Sequence, residues 1–180
     1  MNKNALRSQL ISARIKDAKK DKMIFDNFCS LREFENAGFI FTYISVNSEP
    51  DTTEIIKEAF KRGKRVAVPV CEKNDPDMKC IEIFPGTRFV KGLFNIPEPV
   101  DRICAPTDEL DLIIAPGLGF DESGRRIGYG KGYYDIFLKK HPGLKAAALA
   151  YESQILNEIP TDGKDENVDI IITERRIIRI

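Results

Sequence analysis

The feature that most constrains the fold of this chain is an alternation of short apolar runs with segments of helical periodicity. The apolar runs are 39–44 (FIFTYI), 65–70 (RVAVPV), 111–116 (DLIIAP), 144–150 (LKAAALA) and 168–173 (VDIIIT). Runs of this length are typical of strands that are buried on both faces. Helices are expected between them at 52–62 and near 131–140. The alternation predicts an α/β fold, a three-layer sandwich with a mostly parallel sheet and helices on both faces.

Two more helices are expected before the first strand. Residues 3–20 carry apolar side chains at helical spacing, and residues 22–36 repeat the pattern before a stop at Gly38. The chain has no internal repeat and no long linker. We therefore predict one domain over 1–180, which at this size buries roughly 70% of its unfolded surface.

Charge and composition exclude several classes of function. The 28 basic residues balance 28 acidic ones, so no net field favours nucleic acid or an anionic membrane as a partner. No apolar run approaches the ~20 residues of a membrane span. The four cysteines lie far apart and there is one histidine, which argues against a zinc site and predicts buried, reduced thiols. The first 16 residues lack acids, as in a transit peptide, but acids return at Asp17, so we expect a mature cytoplasmic protein.

The predicted sheet locates a site. In open parallel sheets, ligands bind beyond the carboxyl ends of the strands. Two loops leave such ends here, at 45–51 and 117–130, and both should lie at the same edge. Long irregular loops on a compact domain are more often functional than short ones.

Glycines and basic residues alternate in what we call the Gly-rich segment, residues 124–135: Gly124, Arg125, Arg126, Gly128, Gly130, Lys131 and Gly132. Such glycines let backbone N–H groups form a concave anion site, and the following helix adds partial positive charge. Neither the Walker A spacing nor the dinucleotide fingerprint fits. The segment predicts phosphate binding; a mobile surface loop with glycines in its turns is the alternative that the residues leave open.

Tyr133, Tyr134 and Asp135 end the segment. Aromatic side chains in the first turn of a helix usually belong to the core, although a tyrosine beside an anion loop can also stack on a ring system. Asp135 is by default a favourable partner of the helix dipole. Beside a triphosphate it could instead hold magnesium, which prefers one or two carboxylates together with phosphate oxygens.

The stretch 116–135, PGLGFDESGRRIGYGKGYYD, resembles the signature of the 5-formyltetrahydrofolate cyclo-ligase (5,10-methenyltetrahydrofolate synthetase) family. Three other stretches agree with the family in type and order: 3–7 (KNALR), 43–52 (YISVNSEPDT) and 92–99 (GLFNIPEP). The likeness spans nearly the whole chain. It implies a fold like that of sugar-phosphate isomerases and CoA transferases. It also implies conversion of 5-formyltetrahydrofolate to 5,10-methenyltetrahydrofolate with ATP and Mg²⁺, and release of ADP and phosphate.

The resemblance also implies roles for single residues. Catalysis falls to Lys131, Arg126 and Tyr133, and Mg²⁺ to Asp135 and Asp165. The implied ATP-binding residues are Lys3, Asn4, Ala5, Leu6, Arg7, Arg126, Ile127, Gly128, Tyr129, Gly130, Lys131, Gly132, Tyr133 and Tyr134. The implied folate-binding residues are Arg7, Ile44, Glu49, Phe94, Tyr129, Gly130, Lys131, Gly132 and Tyr133.

Without the resemblance, several of these residues have plainer interpretations. Lys3 and Arg7 fit the solvated face of a helix, Glu49 fits a turn, Asp165 fits a polar loop, and Ile44 fits the core.

Two positions depart from the family pattern. Phe94 stands where some relatives have tryptophan, and a phenyl ring can still pack on a pterin. Tyr129 stands where relatives vary between basic and other residues.

Two other functions remain open at this level: an isomerase or CoA-transferase-like enzyme on the same fold, and a non-catalytic nucleotide- or folate-binding module. The expected partners are ATP and a reduced folate, with no nucleic acid or membrane, and the expected state is a monomer.

Overall fold

The computed structural model describes residues 3–180. The helices are α1 (Lys3–Ala13), α2 (Ala18–Cys29), α3 (Arg32–Asn36), α4 (Thr53–Lys61) and α5 (Tyr133–Lys140). The first six strands are β1 (Phe39–Thr42), β2 (Arg65–Cys71), β3 (Met78–Ile83), β4 (Phe89–Lys91), β5 (Pro97–Pro99) and β6 (Leu112–Ile114). The later strands are β7 (Gly119–Asp121), β8 (Arg126–Ile127), β9 (Lys145–Leu149), β10 (Ile155–Leu156), β11 (Ile170–Ile172) and β12 (Ile177–Arg179).

A seven-stranded sheet in the order β12-β11-β9-β6-β1-β2-β3 forms the centre of the molecule. The five inner strands are parallel, and the edge strands β3 and β12 run antiparallel to their neighbours. Side chains alternate between two cores: Ile40 packs with α2, α3 and α4 on one face, and Phe41 packs with α5 on the other. The predicted α/β architecture with a mostly parallel sheet and helices on both faces is confirmed.

The predicted single helix over 3–20 is wrong. α1 ends at Ala13, and α2 begins at Ala18. Asp17 has an extended backbone, and its carboxylate accepts the N–H groups of Lys19 and Lys20 at 3.0 and 3.2 Å. It therefore caps a new helix, because its side chain satisfies N–H groups that a continuous helix would pair internally.

The second predicted helix, 22–36, is also divided. The break falls at Ser30 and Leu31, where the backbone of Leu31 is extended and its side chain is buried. The chain turns at Leu31 before α3 begins. Because this leucine is buried like the apolar residues of the two helices, the apolar pattern runs on across the break and hides it in the sequence.

The predicted irregular loop at 117–130 contains two strands. β7 and β8 form a hairpin, and β10 pairs beside β7 to give a second, three-stranded sheet. Buried Asp121 shapes the turn, since one carboxylate oxygen accepts the N–H groups of Ser123 and Arg125 and the other accepts that of Ile159. β4 and β5 form a further hairpin whose tip carries Phe94.

All four cysteines are free, as expected, but not all are buried. Cys80 is buried, and burial raises the pKa of its thiol to about 12. Cys29 and Cys71 are half-buried and Cys104 is exposed, so the expectation of burial holds only for Cys80. Among residues 3–180, no helix has the length and apolar character required to cross a bilayer.

Candidate active site

Helix α1 lies against the small sheet and the Gly-rich segment. Leu6 and Leu10 join a buried cluster with Leu118, Ile127 and Ile159. Arg7 Nε donates a hydrogen bond to the Gly128 carbonyl at 2.9 Å. The structure therefore brings the basic start of the chain to the predicted phosphate site. Because the side chains of Leu6 and Ile127 are buried in the cluster, only their backbone is available to a ligand.

The backbone of the Gly-rich segment has the predicted special conformation at its centre. Gly130 has φ +94°, and a Cβ there would lie 3.3 Å from Arg7 Cζ. Gly132 has φ +73° and immediately precedes α5, which directs the first N–H groups of that helix toward the segment. Lys131 between them is exposed, with its Nζ 5.9 Å from the centroid of the Phe94 ring.

Gly124 differs from the other glycines of the segment. It lies in the β7–β8 turn, and a Cβ there would meet the Val168 carbonyl oxygen at 2.4 Å. Its N–H and C=O bond to Asp121 and Val168. Its grouping with the anion-binding glycines is therefore wrong. Gly124 is needed because the β7–β8 turn packs on the backbone of Val168, just before β11.

The hairpin β4–β5 borders a cleft of about 640 Å³. Phe89 and Pro97 line it from the hairpin, and Ile44 lines it from the segment that follows β1. Phe94, at the tip, is 53% exposed, and its ring lies beside Lys131. Ile44 also packs against the core, so it serves both the core and the cleft.

The loop 45–51, which we call the Glu49 loop, meets the Gly-rich segment as predicted. Tyr129 Oη donates to Glu49 Oε1 at 2.6 Å, and Val46 N–H donates to Glu49 Oε2 at 2.9 Å. Glu49 is only 5% exposed. Burial, and next the Glu49 carboxylate, raise the pKa of Tyr129 above its usual range, so this hydroxyl stays protonated and acts as a donor.

Arg14 joins the same contact, and sequence reasoning missed it. Its Nη2 donates to Tyr129 Oη at 2.8 Å, and its Nε donates to Ser48 Oγ at 3.0 Å. No motif marks Arg14, which sits in the connection between α1 and α2. The sequence marks Arg14 only as one of the basic residues in the first 16 positions, which contain no acidic residue.

The two carboxylates predicted to hold Mg²⁺ each lie beside a cation. Arg126 Nη2 lies 2.7 Å from Asp135 Oδ1, and Lys3 Nζ lies 2.6 Å from Asp165 Oδ2. The N–H of Glu166, the residue after Asp165, donates to Asp135 Oδ1 at 3.2 Å, so the backbone next to Asp165 contacts Asp135. Two carboxylates without a third ligand suit Mg²⁺, which usually keeps waters and phosphate oxygens in its coordination sphere. No group of three or more metal-ligating side chains occurs in the described part of the chain.

Arg126 and Tyr134 are less accessible than their assigned roles suggest. The Arg126 side chain is 4% exposed and also donates to the Pro116 carbonyl at 3.2 Å. The Tyr134 hydroxyl is buried and has no hydrogen-bond partner among residues 3–180. Burial raises the pKa of Tyr134 well above its usual value. Tyr133 is half-buried at the first position of α5 and packs at the edge of the core.

The comparison with known proteins places this site in a family. The 5-formyltetrahydrofolate cyclo-ligase family matches residues 1–174. The chain belongs to this family. A 5-formyltetrahydrofolate cyclo-ligase from Mus musculus is 36% identical over 154 residues, which cover 79% of this chain and 76% of the mouse protein. The Escherichia coli (strain K12) cyclo-ligase is 28% identical over 146 residues, covering 78% of this chain and 80% of that protein.

Solved structures agree with this family membership. The 5,10-methenyltetrahydrofolate synthetase of Aquifex aeolicus superposes with a TM-score of 0.85 at 29% identity, covering 99% of this chain and 93% of that one. The synthetase of Mycoplasma pneumoniae shares the fold, with a TM-score of 0.78 at 21% identity and coverage of 97% and 99%. The family match and the solved structures confirm that the sequence motifs were correctly identified as those of the cyclo-ligase family. The roles of its single residues stay predictions.

Proposed function

We propose that this chain converts 5-formyltetrahydrofolate to 5,10-methenyltetrahydrofolate and splits ATP to ADP and phosphate. The observation that carries the proposal is the meeting of three elements in a member of the cyclo-ligase family. The Gly-rich segment, the Glu49 loop and the tip of the β4–β5 hairpin are joined by the contacts of Tyr129 with Glu49 and of Lys131 with Phe94. A two-substrate reaction needs such a junction between a phosphate site and the elements that hold the second substrate.

The reaction needs an activated formyl oxygen. That oxygen attacks the γ-phosphorus and ADP leaves. The neighbouring folate nitrogen then attacks the formyl carbon and gives up its proton to solvent, the carbon–oxygen bond breaks and phosphate departs. Lys131 is exposed in the Gly-rich segment, and its ammonium can contact the oxygens that gain charge during transfer. Phe94 and Ile44 provide apolar surface for the folate, and Glu49 and Tyr129 provide polar contacts.

The pairing of cations with carboxylates suggests how the chain receives its nucleotide. Lys3 and Arg126 are assigned to phosphate, whereas their partners Asp165 and Asp135 are assigned to Mg²⁺. Bound Mg²⁺ supplies positive charge that neutralises phosphate oxygens. When MgATP binds, the two cations would exchange their carboxylate partners for phosphate oxygens, and the carboxylates would bind the metal instead. Every charge then keeps an opposite charge beside it. In this proposal Lys3 and Arg126 keep the two carboxylates in place until the exchange.

The test is the near-ultraviolet absorbance of the methenyl product. Purified protein should form it only when 5-formyltetrahydrofolate, ATP and Mg²⁺ are all present. Omission of each component in turn provides the controls. Binding of both ligands without turnover would instead support a non-catalytic binding module. Equal turnover without ATP would remove the assignment.

We further propose that the chain acts as a single domain over 1–180, as a cytoplasmic monomer, and that its architecture is related to that of sugar-phosphate isomerases and CoA transferases. The balance of 28 basic and 28 acidic residues supports small-molecule partners over nucleic acid or membranes. Sedimentation velocity at catalytic concentration tests the monomer, since a dimer would sediment measurably faster.

A further inference from the structure

Arg14 connects three loops at the carboxyl edge of the central sheet. Its Nε donates to Ser48 Oγ in the Glu49 loop at 3.0 Å. Its Nη1 donates to the Gly117 carbonyl, after β6, at 3.3 Å, and its Nη2 donates to Tyr129 Oη at 2.8 Å. The residue is 9% exposed, so this guanidinium is held inside the molecule rather than on a solvated helix face. A planar fork with several fixed donors is suited to such a three-way junction.

Tyr129 extends this junction to Glu49. Its hydroxyl accepts from Arg14 and donates to Glu49 Oε1 at 2.6 Å. Among the described residues, neither Arg14 nor Glu49 has an oppositely charged side chain within 4.0 Å. Lys16 is nearby, but its ammonium bonds to the Glu49 backbone carbonyl at 2.9 Å. One hydroxyl therefore joins a buried cation to a buried anion, and its loss would leave both poorly compensated.

We propose that Arg14 is a positioning residue of the active site. Through the Tyr129 hydroxyl it holds the Gly-rich segment at a fixed place relative to the Glu49 loop. The inference rests on the proposed function, in which the nucleotide lies on the first element and the folate on the second. The separation of the formyl oxygen and the γ-phosphorus then depends on the chain Arg14–Tyr129–Glu49. Misplacement of reacting atoms by about 1 Å can cost on the order of 10²-fold in rate.

The test uses Tyr129→Phe, which removes one hydroxyl, and Arg14→Gln, which removes the charge. Each should lower kcat by roughly 10- to 100-fold. For Arg14→Gln, at a residue assigned to neither ligand, calorimetry should show much smaller changes in the Kd of ATP and of 5-formyltetrahydrofolate, each titrated alone. Arg32→Gln, at an exposed arginine at the start of α3, is the matched control and should leave all three quantities unchanged.

The double variant Arg14→Gln/Tyr129→Phe distinguishes positioning from general stabilisation. If Arg14 acts through the hydroxyl, the double variant should have about the kcat of the slower single variant, because both changes break one chain. Losses that multiply would show independent roles and overturn the proposal. Unchanged kcat in Tyr129→Phe would also overturn it. A wild-type protein without turnover would refute the proposed function itself, which is a separate outcome because no variant is needed to see it.

Discussion

At the scale of single residues, Lys131 is the exposed basic side chain of the Gly-rich segment. It is exposed between two glycines, and its ammonium, 5.9 Å from the centroid of the Phe94 ring, has no hydrogen bond or ion pair among residues 3–180. Arg126, the other basic residue assigned to catalysis, is buried against Asp135. The two residues therefore differ in what they can do before any rearrangement, and Lys131 is the better subject for a test of charge stabilisation.

We expect Lys131→Ala to lower kcat by ~10²–10³-fold, by analogy with loss of a donor to the transition state. ATP affinity should fall much less, because backbone N–H groups of the segment still bind the ground state. Steady-state kinetics with a direct ATP titration separate the two effects. Lys139→Ala, at an exposed lysine of the same helix region, is the control. Unchanged kcat with weaker ATP binding would show that Lys131 only tethers the nucleotide.

Gly130 supports a second prediction. An L-residue at positive φ costs about 1–2 kcal/mol, so Gly130→Ala should be modestly less stable and should also bind ATP more weakly. Gly63→Ala is a matched control, because Gly63 has φ +71° with nothing within 4 Å of an added Cβ and follows α4. The two variants should lose similar stability in thermal unfolding, and only Gly130→Ala should lose ATP affinity. Equal ATP binding in both would make Gly130 a turn residue.

Sequence reasoning was strong for the backbone at Gly130 and Gly132 and weak for long polar side chains. A positive φ at Gly130 and Gly132 follows from local spacing, because the segment alternates glycine with other residues before a helix. The junction at Arg14 could not be predicted, because its partners Ser48, Gly117 and Tyr129 lie 34 to 115 residues away and no local pattern relates them. The same holds for the ion pair of Lys3 with Asp165.

At the scale of elements, the central strands were predictable and the edges were not. Buried parallel strands are apolar on both faces, which makes them visible as continuous runs. Edge strand β12 and the short strands β7, β8 and β10 lack such runs, since they pair at the margin or within a second sheet. The break between α1 and α2 depends on the side chain of Asp17. Its carboxylate accepts backbone N–H groups that would otherwise bond within one continuous helix.

The β4–β5 hairpin was not predicted as an element, although residues 92–99 were matched to the family, and it supports a prediction about folate binding. Phe94→Ala should weaken binding of 5-formyltetrahydrofolate by roughly 5- to 10-fold, on the order of 1 kcal/mol, through loss of aromatic contact. ATP binding should change little. Val90→Ala, at an exposed position of the same hairpin, is the control and should leave both affinities unchanged. Unaltered folate affinity in Phe94→Ala would move the pterin away from this tip.

At the scale of the whole molecule, ligand binding should stabilise contacts that span the chain. Lys3 and Asp165 are 162 residues apart, and both are assigned to the nucleotide–metal site. At 100 times its Kd, MgATP should stabilise the fold by about 2.7 kcal/mol, which corresponds to roughly 5–10 °C in Tm at this chain length. Differential scanning fluorimetry should show smaller shifts with ATP plus a chelator or with Mg²⁺ alone.

The variant Asp135→Asn separates the metal from the helix dipole. It keeps the size of the side chain and removes its charge, so the additional shift caused by Mg²⁺ should shrink. A cap or dipole role alone would change stability by ~1 kcal/mol or less and leave the magnesium dependence unaltered. An undiminished magnesium shift would remove Asp135 from the metal site.

The docking of α1 has a consequence for the order in which the site comes into being. Translation makes this helix early, yet its apolar partners Leu118, Ile127 and Ile159 are made more than a hundred residues later. Contacts of such large sequence separation form after the local ones, because closing the intervening loop costs entropy that only the finished sheet offsets. A nascent chain stalled before residue 118 would therefore have an undocked first helix and no complete nucleotide pocket. Capture of ATP should begin only after synthesis of the last parallel strand.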